Sequence, residues 1–89
     1  MNEKKVVVYI SEDSSKCNQL LFELDKLDVN YEIKNVTKNK DFMKELQNEG
    51  VYGTPATFIG NNNTPILGVQ KNKIKQTLVE GELGWNHYF

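Results

Sequence analysis

Cysteine is almost missing from this chain: Cys17 is the only one in 89 residues. A single thiol cannot close a disulfide within the chain, and it cannot build a cysteine-rich zinc site. Cys17 and His87 are the only soft metal ligands, so no metal site and no cofactor is expected. An excess of charge of one sign is missing too. The formal net charge is −1, with acidic and basic residues mixed throughout. No basic patch is present to neutralise phosphates, which argues against nucleic acid as a partner. Long apolar runs are also missing. Nothing has the pattern of a secretory signal and nothing is long enough to cross a bilayer, so no membrane role is expected and the cytoplasm is the default location. Asn35-Val36-Thr37 fits a glycosylation sequon, but that has no meaning without a secretory route. There is no internal repeat, linker or low-complexity tract.

The chain is 38% apolar and 26% charged, a balance that fits a soluble globular domain rather than a disordered segment. Its length suits one domain, small but able to fold without staples. Lys5 to Ile10 is a run rich in β-branched residues that suits a central strand buried on both faces, with a parallel partner and covering helices. From Ser14 to Leu27 the spacing turns helical. Cys17, Leu20, Leu21, Leu24 and Leu27 fall on one face, and Asp13 or Ser14 is a natural N-cap. Val29, Tyr31 and Ile33 alternate with polar residues, as in a strand solvated on one side. Strand, helix and strand in this order imply a right-handed crossover and parallel pairing.

A second helix is expected from about Asn39 to Glu49, with Phe42, Met43 and Leu46 inward and Gly50 ending it. Ala56 to Ile59 reads as a strand, and Gly60-Asn61-Asn62-Asn63 as a turn. Ile66-Leu67 returns as the second strand of a hairpin. A last helix is expected from Lys71 to Glu80, with Ile74 and Leu78 one turn apart. The expected division is a domain over 1–80 and an aromatic tail over 81–89. The tail carries Trp85, His87, Tyr88 and Phe89. It either frays or packs on the domain or a neighbour.

Three segments carry a family resemblance. Ser14-Ser15-Lys16-Cys17 stands at a strand-to-helix corner, where a C-x-x-C pair would place its second cysteine at Cys17. Val51-Tyr52-Gly53-Thr54-Pro55 precedes the third strand. Ile66-Leu67-Gly68-Val69 ends the last one. In this order and at these spacings the chain resembles the glutaredoxin branch of the thioredoxin superfamily over roughly Val6 to Leu78. The resemblance implies an α/β thioredoxin fold, a four-stranded mixed sheet in the order β-α-β-α-β-β-α with helices on both faces. It implies thiol–disulfide exchange, with Ser14 at the position of the attacking cysteine and Cys17 at that of the resolving one. It places a cis bond before Pro55, which exposes the backbone of Thr54 to an extended substrate. Lys16, Thr54, Pro55, Gly68 and Val69 are the substrate-binding candidates. The implied partner is a protein disulfide or a small thiol, with a flavin thiol reductase as electron donor. Glutathione is disfavoured. Position 11 is serine rather than basic, and Leu67-Gly68-Val69-Gln70 replaces a Gly-Gly pair followed by Asp or Thr.

The same residues have plainer readings. Ser14 serves as an ordinary N-cap, a role compatible with the nucleophile position. The serine is either the protein's own or a silenced cysteine. Its hydroxyl does not ionise near neutral pH, and no neighbouring base is evident. Cys17 reads equally as a small buried hydrophobe whose desolvation keeps it protonated. Pro55 reads as an ordinary trans proline opening an edge strand. Tyr9 reads as a core or cleft-lining ring without chemistry.

Overall fold

Val6-Val7-Val8-Tyr9-Ile10 forms β1 (Val6–Ile10), and both of its faces are covered. The computed structural model describes residues 5–60 and 64–83. The chain leaves β1 through a short loop and enters α1 (Ser15–Lys26). Asp13, just before the cap, has φ 56, a left-handed conformation that Asp tolerates better than most residues. Ser14 is extended at φ −118, and its hydroxyl accepts the Cys17 N–H at 3.2 Å. That bond satisfies one of the free amides of the helix start. Cys17, Leu20 and Leu24 are fully buried on the inner face, and Leu21 and Leu27 are partly so.

β2 (Glu32–Asn35) runs parallel to β1, with Val8 opposite Ile33. It is shorter than the alternation of Val29, Tyr31 and Ile33 suggests. Val29 and Tyr31 pack against the core ahead of the strand, and Ile33 is 44% exposed. The physical reason is position: β2 is the outer strand of a sheet ordered β2-β1-β3-β4. α2 (Lys40–Asn48) is capped by Asn39, whose side-chain oxygen accepts the Asp41 N–H at 2.9 Å. Gly50 follows at φ 82 and donates its N–H to the Gln47 carbonyl, a helix end that glycine favours.

β3 (Ala56–Ile59) is antiparallel to β1, and β4 (Ile66–Leu67) is antiparallel to β3. β1 therefore has one parallel and one antiparallel neighbour. α3 (Lys71–Leu83) extends three residues past the end expected at Glu80. A glycine at position 81 lowers helix propensity by only about 1 kcal/mol, too little to stop it. Residues 84–89, with Trp85, His87, Tyr88 and Phe89, lie outside the described residues, as do 61–63 of the expected turn.

Register lines up Ile33, Val8, Thr57 and Ile66 across the sheet. On that face Val6, Val8, Ile59 and Ile66 meet Leu20 and Leu24 of α1 and Ile74 of α3. The other face gathers Tyr9, Val36, Val51 and Ala56 around Leu46 of α2. Helices thus cover both faces. Each fully buried leucine contributes roughly 2 kcal/mol through lost apolar exposure. Among the described residues no helix is long and apolar enough to cross a membrane.

Candidate functional site

The end of β1, the start of α1 and the segment before β3 converge on the Cys17 sulfur. β1 delivers Ser11 at its end, and the cap places Ser14 one helical turn before Cys17. Antiparallel pairing of β3 with β1 sets Ala56 opposite Tyr9, which carries Thr54 and Pro55 to the same end of the sheet. The Thr54–Pro55 bond is cis. The Ser11 and Thr54 hydroxyls are 2.7 Å apart, a short hydrogen bond between residues distant in sequence. Pro55 is buried, and its carbonyl accepts the Gly68 N–H at 2.9 Å. Gly68 has φ 76, a left-handed turn suited to glycine.

Cys17 is 1% exposed. Burial pushes its thiol up and is the largest single influence. Hydrogen bonds from the Ser14 hydroxyl, the Ser11 amide, and the Thr54 and Ser11 hydroxyls act the other way. Together they carry the thiol below its ordinary pKa. Desolvation acts on Cys17 in the expected direction, and the hydrogen bonds together outweigh it. In a buried site a thiolate is favoured by hydrogen bonds made to it.

Ser14, Cys17 and Thr54 are brought together, and Pro55 and Gly68 are tied to that group through the backbone. Lys16 stands exposed on the first turn of α1 and is not among the groups acting on the sulfur. Val69 leans into the core under α3 and borders a shallow groove with Gln70, Lys71, Asn72, Lys73 and Gln76. Sequence reasoning missed Ser11 as a partner of the sulfur. It registered there only as a missing basic residue. Tyr9 is not merely a core ring. Its hydroxyl donates to Glu45 Oε1 at 3.0 Å, and Lys34 Nζ donates to the same oxygen at 2.9 Å. Among the described residues no three His, Cys, Asp or Glu side chains gather as a metal-binding group.

Comparison with known proteins agrees with this geometry. The family model for glutaredoxins matches residues 6–63. The thioredoxin-like protein BC3987 is 27% identical, with TM-score 0.74, over 82% of this chain and 99% of its own. The glutaredoxin from Archaeoglobus fulgidus is 23% identical, with TM-score 0.72, over 85% of this chain and 86% of its own. The glutaredoxin-like NrdH-redoxin from Escherichia coli is 17% identical, with TM-score 0.72, over 81% and 92% of the two chains. These likenesses establish the thioredoxin fold. No curated protein sequence matches the chain.

Proposed function

Since the chain belongs to the glutaredoxin family, a family of thiol–disulfide oxidoreductases, we propose that it is a glutaredoxin-like oxidoreductase whose dithiol cycle is interrupted at Ser14. One observation carries this reading: the N-cap where the attacking thiolate belongs holds the Ser14 hydroxyl, bonded to the Cys17 N–H at 3.2 Å. In a dithiol cycle a thiolate attacks a substrate disulfide and forms a mixed disulfide. A second thiolate then displaces the reduced substrate thiol and closes an internal disulfide. Serine at the first position forms no mixed disulfide. The remaining sulfur, Cys17, has no partner within the chain.

The substrate side of this reading is an extended protein disulfide or a small thiol compound beside Thr54 and Pro55. Lys16, Gly68 and Val69 are the further substrate-binding candidates of this reading. A flavin thiol reductase is the electron donor this reading favours over glutathione, because Ser11 is not basic and Val69-Gln70 replaces the family's glutathione-side motif. The cytoplasm, where thiols stay reduced, is the matching compartment.

Insulin-disulfide reduction tests it. The chain as it stands should show negligible turnover, and Ser14→Cys should turn over, because the helix start and the spacing are already in place. Robust turnover with Ser14, or none with Ser14→Cys in a folded protein, overturns the reading. A second reading is a redox-inactive module that binds extended peptides at the Pro55 cleft. The 1% exposure of Cys17 favours it. Peptide binding unchanged by Ser14→Cys, with no turnover gained, would select this module.

A further inference from the structure

Two hydroxyls join segments that lie 43 residues apart in sequence. The Ser11 and Thr54 side-chain oxygens are 2.7 Å apart, and both residues are half-buried. Either oxygen can donate, and the tie is the same in both directions. Its importance comes from what it joins. Thr54 lies in the stretch that leads from α2 to β3. Val51 anchors the start of that stretch: it is buried, and its N–H donates to the Leu46 carbonyl at 3.2 Å. Pro55 anchors the end, buried and bonded to Gly68. Between these anchors the chain is open. Tyr52 is 74% exposed, and a Cβ on Gly53 would meet nothing within 4 Å. The Thr54 hydroxyl fastens this open stretch sideways, onto the β1–α1 loop.

That loop is tied down by other bonds as well. On its β2 side the Glu12 N–H donates to the Thr37 hydroxyl at 3.0 Å, and the Val36 N–H donates to the Ile10 carbonyl at 2.8 Å. At its other end the Ser14 cap fixes the start of α1. Ser11 therefore presents its oxygen from a fixed frame, and Thr54 is the partner with freedom to turn. A threonine side chain outside a helix has three staggered χ1 wells to choose from. One short hydrogen bond selects among them.

We propose that Ser11 is a positioning residue of the site: its hydroxyl fixes the Thr54 side chain and, through it, holds the stretch before β3 against the start of α1. This rests on the oxidoreductase reading, in which that stretch takes an extended protein substrate. It adds to that reading the residue that sets how the substrate stretch stands relative to Ser14 and Cys17.

The Thr54 χ1 angle can be read from three-bond couplings to its methyl carbon in isotopically labelled protein. The parent should show a single rotamer. Ser11→Ala should show averaging between rotamers, and Ser11→Thr, which keeps the hydroxyl, should restore a single one. Thr37→Val frees the same loop on its other side and should leave Thr54 in a single rotamer. Averaging that is absent in Ser11→Ala, persists in Ser11→Thr, or appears equally in Thr37→Val overturns the proposal. In the Ser14→Cys protein, Ser11→Ala should raise KM for insulin roughly fivefold, the scale of one neutral hydrogen bond, and leave kcat within about twofold. Thr54→Val should raise KM similarly, and the double variant little more, because both single changes remove the same bond. A fall in kcat at unchanged KM, or full additivity, overturns the proposal as well. No turnover in Ser14→Cys would sink the oxidoreductase reading, and the couplings would still decide whether Ser11 positions Thr54.

Discussion

Thr57 stands at the centre of β3, 0% exposed, and its hydroxyl has no hydrogen-bond partner. Its neighbours across the sheet are Val8 and Ile66, which offer nothing to bond. A buried hydroxyl left unpaired is costly, while removing it in favour of a group of the same shape is not. Thr57→Val should therefore stabilise the protein by about 1 kcal/mol, measured by urea unfolding. A loss of stability would show that the hydroxyl has a partner after all. At this scale the sequence was informative where spacing carries the signal. Ser14 and Cys17 were legible because a cap and a sulfur three residues apart fall on one helical turn. The Ser11–Thr54 bond was not, because its two partners lie in different segments that only the folded sheet brings together.

α2 holds its face of the sheet through few apolar side chains and one polar knot. Glu45 of α2 accepts from Tyr9 of β1 and from Lys34 of β2. The Lys34 ammonium also lies 5.5 Å from the Tyr9 ring centre and 5.4 Å from that of Phe42. Hydrogen bonding to Lys34, then to Tyr9, holds the Glu45 carboxyl below its usual range. Hydrogen bonding to Glu45 raises the Lys34 ammonium. A lowered carboxyl adds stability above the unfolded carboxylate value and loses it as pH falls through the folded one. A raised ammonium adds stability below the unfolded lysine value and loses it as pH rises through the folded one. The knot's window therefore spans neutral pH between those limits. Glu45→Gln should be less stable than the parent at neutral pH, and the gap should close as pH drops below the carboxylate range. A gap constant with pH, in urea titrations, would refute the role. The elements themselves were readable from caps and periodicity: β3 and β4 fall where expected, and α1 and α2 within a residue or so. β2 and α3 deviated where an edge position and a tolerated glycine outweighed the local pattern.

Across the whole molecule, acidity and access at Cys17 point in opposite directions. Its hydrogen bonds lower its pKa, yet it is 1% exposed. Reaction with an alkylating reagent therefore depends on opening of the α1 start rather than on the thiolate fraction. Labelling of the native protein should be slow at neutral pH and should accelerate steeply with urea. Rapid labelling without denaturant would mean the sulfur is open in the native state, and the nucleophile role would then pass to Cys17. The three-layer α/β/α architecture and its chain order were legible from the alternation of apolar runs. How the layers divide the donors around one sulfur was not, because that depends on side-chain positions at the end of the sheet.

Strand order also has a consequence for synthesis on the ribosome. β1 emerges first, but it is central, and one of its neighbours, β3, begins only at Ala56. A nascent chain holding β1, α1 and β2 can pair its parallel strands, with one edge of β1 still open. Ser11, Ser14 and Cys17 are present at that stage, and Thr54 is not. Until the second half of the chain has been made, the group around Cys17 lacks Thr54. The site is completed only with the segment before β3, as a late event in the life of the polypeptide.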